Sequence, residues 1–161
     1  MTIRTKAAFG VAAACSAALL ATVSTAQDQK ALERAVKARQ GLMNVHVLEA
    51  GPLIGMAKGE VPYDPAVASG HAEALSSLTG YDETRMFPAG TSNAEMPGKT
   101  LALPAIWEQP DEFQQAFENL REAAETVATE AGNGQEQLTA AVGELGKACG
   151  NCHENFRFKK E

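Results

Sequence analysis

The sequence predicts an all-α fold, an antiparallel four-helix bundle, on three observations. Apolar residues recur at three- and four-residue steps over four stretches of about 15–25 residues. No stretch alternates with period two for long enough to make a sheet. The links between most of the stretches are short, which favours antiparallel neighbours.

The first helix is expected to start near Asp28, a suitable N-cap, and to run to about Ala50 through Leu32, Val36, Arg39, Met43 and Val47. Gly51-Pro52 should bend or break it, with Leu53 to Lys58 resuming it before the Gly59-Glu60-Val61-Pro62 turn. A second helix fits Pro65 to Thr79, where Val67, His71, Ala74, Leu75 and Leu78 share a side and Gly80 marks the end. Residues 81–109 hold Pro88, Gly90, Pro97, Gly98 and Pro104 and read as a crossover with short turns. The third helix is expected from about Asp111 to Ala131, with Phe113, Phe117, Leu120, Ala124 and Val127 on one stripe. Gly132-Asn133-Gly134 stops it, and the fourth helix covers Gln135 to Phe156.

At 161 residues the chain has room for one domain, and 45% hydrophobic with 21% charged residues rules out wholesale disorder. Residues 1–26 read as an export signal. Arg4 and Lys6 give the positive start, Ala7 to Val23 the apolar run, and Ser24-Thr25-Ala26 the small residues before a cleavage point. The domain is then 27–161, placed in the bacterial periplasm, and Cys15 is lost with the signal. No later run is apolar enough to span a membrane, so no membrane association is expected after cleavage. Fourteen Lys and Arg against twenty Asp and Glu leave a net charge of −6. From Gln27 on, twelve basic residues face twenty acidic ones, which argues against a nucleic-acid partner.

The chemistry is concentrated in Cys149-Gly150-Asn151-Cys152-His153. A C-x-x-C-H run is the attachment signature of a c-type haem. On a helix, positions i and i+3 share a face, so both thiols reach the vinyl groups of one porphyrin. His153, next in line, can present a ring nitrogen to the iron as proximal ligand. A redox dithiol would usually open a helix in a βαβ context, which is absent here. Half a zinc site would need a second Cys/His pair, and His46 and His71 are isolated. One covalent haem c is therefore the expected cofactor.

The stretch Gly146-Lys147-Ala148-Cys149-Gly150-Asn151-Cys152-His153-Glu154-Asn155-Phe156-Arg157 resembles the C-terminus of the class II cytochromes c, the cytochrome c′ family. Further matching pieces, in the family's order, are Ala38 to Met43, Met56 to Asp64, Phe87 to Ser92, and Ala105-Ile106-Trp107. The resemblance implies an antiparallel four-helix bundle, often a homodimer, and a mono-haem protein that transfers electrons. It places Arg39, Gln40 and Met43 over the distal face of the haem and Thr91 near the propionates. An Arg at position 39 can pair with a propionate. Met43 has two readings: it covers a five-coordinate iron without binding it, or it ligates as in low-spin relatives on the same bundle. The resemblance favours the first, with nitric oxide or carbon monoxide as ligands. His46, one turn on, is a third candidate ligand. Arg157, four residues after His153, is implied on the proximal side, although a charge complementing the helix dipole would serve equally. With Lys159 and Lys160 it could orient a redox partner protein. Trp107 and Tyr81 are expected to pack the crossover or cover a haem edge, and Gly143 and Gly146 to allow close approach of a helix or of the macrocycle. No catalytic residue is expected, because Arg39 and His46 make the only candidate acid–base pair for a peroxidase-like site.

Overall fold

The computed structural model describes residues 12–159, and the first eleven residues of the expected export signal, like Lys160, lie outside them. Five α-helices follow one another: α1 (Ala12–Ala57), α2 (Pro65–Thr79), a short α3 (Ala105–Glu108), α4 (Pro110–Glu130) and α5 (Gln135–Phe156). A single 3₁₀ turn, Glu83–Met86, lies in the crossover. The four long helices close an antiparallel bundle in which α1 packs on α2, α2 on α4, α4 on α5, and α5 back on α1.

The first helix departs from expectation at its proline. In the uncleaved chain it runs on through Asp28 from the Ala-rich segment before it, alanine being the strongest helix former. Gly51-Pro52 does not break it. Leu53 and Met56 on the following turn are wholly buried, so packing holds the helix past a proline that costs it one backbone hydrogen bond. The helix ends at Ala57, and Gly59 in the turn beyond it has a φ of 71°, the left-handed conformation that glycine adopts without strain.

Asp64 caps α2 as a carboxylate should, accepting from the backbone N–H of Ala66 at 2.9 Å and Val67 at 3.1 Å. Pro65 occupies the first turn, where its missing N–H costs nothing. The turn between α4 and α5 sits so close to α2 that a side chain at Gly132 would meet Ser69 Oγ at 2.6 Å. Ala68, Ala72 and Leu75 of α2 bury against Val127 and Ala124 of α4 and Leu138 and Leu145 of α5 in one apolar core.

The crossover is pinned to the end of α5. Leu103 N–H donates to the Phe156 carbonyl at 2.9 Å, Phe158 N–H to the Leu101 carbonyl at 2.8 Å, and Ala102 bridges Arg157. Phe113 is the hub of an aromatic cluster, its ring centre 4.8 Å from Phe87, 4.9 Å from Phe117 and 5.1 Å from Phe156. Such edge-to-face pairs add about 0.5–1.5 kcal/mol each beyond burial. Three elements, the crossover, α4 and the last turn of α5, thus meet beside residues 149–153.

Candidate cofactor site

Cys149, Cys152 and His153 stand at positions i, i+3 and i+4 of α5 and share one side of the helix, while Gly150 and Asn151 between them are exposed. All three are half-buried, and both cysteines are free thiols. Burial, with the other cysteine and Glu83 adding to it, pushes the Cys152 thiol up to about 11, and burial pushes Cys149 up as well. Both sulfurs are protonated at neutral pH. That is the opposite of the low-pKa thiolate a redox dithiol needs. No group of three or more His, Cys, Asp or Glu side chains able to hold a metal occurs among the described residues, which leaves the zinc reading without a site. Burial first, then the charge of Arg157, hold His153 below the ordinary histidine range, so its imidazole keeps a free lone pair.

On α1, Arg39 is only 5% exposed. One guanidinium nitrogen donates to Thr91 Oγ1 at 2.9 Å and to the Met86 carbonyl at 3.3 Å. The other donates to the Thr91 carbonyl at 2.6 Å and Thr100 Oγ1 at 2.7 Å. The group also lies 4.7 Å from the centre of the Phe87 ring. Burial lowers its pKa to about 10, which still leaves it a cation at pH 7. Every oxygen it touches is neutral, and none of the ion pairs among the described residues includes it. A buried cation without a counter-charge is costly unless an anionic group joins it.

Thr91 is wholly buried beneath that guanidinium and donates its own hydroxyl to the Pro88 carbonyl at 2.8 Å, so sequence positions 39 and 91 do come together. Gln40 is exposed and grips the crossover instead, its Nε2 donating to the Lys99 carbonyl at 2.8 Å. Met43, one turn after Arg39, is half-buried against the core. His46 is buried with its Nε2 3.6 Å from Glu83 Oε1. Arg157 lies one residue beyond the end of α5, in extended backbone and exposed, yet its charge is felt at His153. Trp107 does pack the crossover, its Nε1–H donating to the Phe87 carbonyl at 3.0 Å, whereas Tyr81 is 47% exposed. At Gly143 and Gly146 nothing beyond the neighbouring residues and the helix's own backbone comes within 4 Å of where a side chain would start, so packing between helices does not require glycine there.

Sequence reasoning missed Thr100, Phe87 as the ring beneath Arg39, and Glu83. All three sit in the aperiodic crossover, where no pattern marks which side chains turn inward.

These residues fit a haem. Met43, Phe87, Ala148, Cys149 and Cys152 are apolar side chains left partly uncovered at the edge of the core. Two thiols and a neutral imidazole would supply the thioether anchors and a nitrogen for the iron. Arg39 supplies a positive charge in want of a carboxylate. The family model described as Cytochrome C' matches residues 34–157. Cytochrome c' of Cereibacter sphaeroides is 43% identical over 146 residues, covering 88% of this chain and 97% of that protein. Among solved structures, cytochrome c' from Rhodobacter Spheriodes superposes with a TM-score of 0.78 at 44% identity, covering 80% of this chain and 98% of the other. A nitric oxide complex of a mutant cytochrome c prime from Alcaligenes xylosoxidans superposes with a TM-score of 0.70 at 28% identity, covering 80% and 97%.

Proposed function

Because this chain belongs to the cytochrome c′ family, we propose that it is an exported single-haem electron carrier whose iron keeps one position open to nitric oxide and carbon monoxide. The observation that carries the reading is the end of α5, where two protonated thiols one turn apart are followed directly by a neutral histidine. Bound there, haem c would supply a one-electron ferric–ferrous couple and an iron able to take a small gas.

The chain's own residues do the rest. Cys149 and Cys152 would hold the porphyrin edge by thioether bonds, and His153 would give its lone pair to the iron. Arg39 presents its charge to a propionate and is itself oriented by Thr91 and Thr100. Gln40 ties α1 to the crossover above that contact. Met43 covers the distal side, and its thioether keeps water from the iron without binding it. Arg157 lines the proximal side and adds to the burial that holds His153 low. The nitric oxide complex of the Alcaligenes xylosoxidans relative supports the gas-binding part of the reading.

Residues 1–26 direct export to the periplasm, and no helix among the described residues is long and apolar enough to cross a membrane. Val45, Val47 and Leu48 of α1 are exposed, an apolar surface that suits a homodimer. Arg157 and Lys159 put positive charge beside the haem-bearing turn and orient an acidic redox partner.

Absorption spectra of the ferric and ferrous protein, with and without carbon monoxide, test the reading. The ferric form is expected to be high-spin, the ferrous form to bind carbon monoxide, and Met43→Ala to speed that binding. A low-spin wild type that turns high-spin on Met43→Ala would instead make Met43 the sixth ligand and the protein an electron carrier only.

A further inference from the structure

One buried pair of titratable side chains has no part in the site above. His46 on α1 and Glu83 on the 3₁₀ turn are 9% and 4% exposed, and they face each other with Nε2 and Oε1 3.6 Å apart. That separation is too long for a hydrogen bond. His46 Nε2 and Glu83 Oε2 are both without a partner. Buried polar atoms are almost always bonded, so two orphans on facing side chains mark a place where one proton changes the bonding. A protonated carboxyl can donate to a neutral imidazole nitrogen, whereas two lone-pair acceptors can only stand apart.

Glu83 is also within electrostatic reach of both haem-anchoring cysteines, whose thiols its charge pushes up. The groups facing it are His46 from α1, Arg121 from α4, and Cys149 and Cys152 from α5. Arg121 draws the carboxyl down, but its guanidinium is already engaged by Glu118 and by the Thr79 carbonyl at 3.2 Å. The cysteines carry no charge once they are thioethers. Asp82 and Arg85, on the same turn, are exposed. Burial prevails over Arg121 and raises Glu83 to about 7, while burial lowers His46. At neutral pH, then, the imidazole is uncharged and the carboxyl is poised between its two states.

We propose that Glu83, with His46 as its hydrogen-bond partner, is the group that takes up a proton when the haem is reduced. The proposal rests on the haem reading above and adds to it a proton coupled to the electron. When a donor protein passes one electron to the ferric haem, negative charge is added close to the Glu83 carboxylate. The carboxylate takes a proton from water, an O–H bond forms, and that hydroxyl donates to His46 Nε2. Oxidation reverses both events, the electron leaving to the acceptor protein and the proton returning to water. Reduction is therefore easier where protons are plentiful, and the midpoint potential falls as pH rises through neutrality.

Spectroelectrochemical titration of the purified haem-bearing protein across neutral pH is the test, run on the wild type and on Glu83→Gln. In the wild type the potential is expected to bend downward near pH 7. In Glu83→Gln that bend should be lost while the reversible one-electron wave remains. Should the variant fold poorly, the wild type decides alone. A pH-indicator dye should report uptake of less than one proton per electron, largest near pH 7, and a reduced-minus-oxidised infrared spectrum should show a carboxyl gaining its proton. A wild-type potential independent of pH near neutrality, or a bend of equal size in folded Glu83→Gln, would overturn the proposal. A protein without covalent haem or a reversible wave would instead overturn the haem reading beneath it.

Discussion

Replacing Arg39 by methionine removes four hydrogen bonds and a cation over the Phe87 ring in a single step. The loss is not four times that of one bond, because two of the four acceptors keep another partner. Thr91 Oγ1 still donates to the Pro88 carbonyl, and Thr100 Oγ1 still accepts from Ala102 N–H at 3.1 Å. The Met86 contact is long, at 3.3 Å. The Thr91 carbonyl, 2.6 Å from the guanidinium and buried, is the acceptor that is stranded, at about 1–3 kcal/mol. Loss of the cation over Phe87 adds about 1 kcal/mol. Relief from burying an uncompensated charge offsets part of this. The haem-bearing protein should thus lose more than about 2 kcal/mol, since the propionate is stranded too, read as a lower urea midpoint at unchanged slope in far-ultraviolet circular dichroism. Its midpoint potential should also fall, since removing a positive charge disfavours the electron-richer ferrous state. Arg39→Lys keeps the charge but not the two-pronged geometry, so it should retain most of the potential and lose stability. An Arg39→Met protein matching the wild type in both stability and potential would refute the assignment.

The remaining predictions concern attachment, folding and pH. Thioether bonds survive denaturation, so haem should stay with the polypeptide after boiling in detergent, and a Cys149→Ala, Cys152→Ala double change should abolish that retention on a haem-stained gel. Apoprotein should melt broadly, because Met43, Phe87, Cys149 and Cys152 are only partly buried without the cofactor, and a calorimetric melt as sharp as that of the haem-bearing form would contradict this. Glu83 titrates at about 7 in the fold against 4.5 for an ordinary carboxyl, so between those values the folded state holds a proton that the unfolded state has lost. Stability from this group is full below about pH 4.5 and is lost as pH rises through about 7, a change on the order of 3 kcal/mol. His46, lowered by burial, acts in the opposite sense, costing stability as pH falls below its ordinary range. Denaturation of Glu83→Gln and wild type across that window should isolate the first effect as their difference.

How much of this was legible in the sequence follows from which forces set each feature. The helices α2, α4 and α5 could be placed almost to the residue, because their ends are written in local chemistry: Asp64 and Pro65 before α2, Gly80 after it, and Gly132-Asn133-Gly134 between α4 and α5. α1 was misread at Pro52, since a proline is overruled when Leu53 and Met56 bury completely. The haem-anchoring motif was legible because its spacing is itself the chemistry. Arg39 and Thr91 were named from resemblance, but their contact spans 52 residues and no local signal encodes it. Glu83 could not be found at all. A single acidic residue in an aperiodic turn looks solvated until the fold buries it.

The crossover is where these unread features gather, and its role follows from what it joins. Its Phe87 ring lies under Arg39 of α1 and against Phe113 of α4, and its Thr91 and Thr100 orient that same arginine. Its Leu101 and Leu103 bond the backbone around Phe156, only three residues beyond His153. Its Glu83 meets His46 of α1 and acts on both cysteines of α5. A segment without helical period therefore sets the distance between the charge meant for the propionate and the histidine meant for the iron. Helical periodicity builds the walls of the bundle, but the crossover fixes the electrostatics inside it, and changes there should move the redox potential more than they move the helix content.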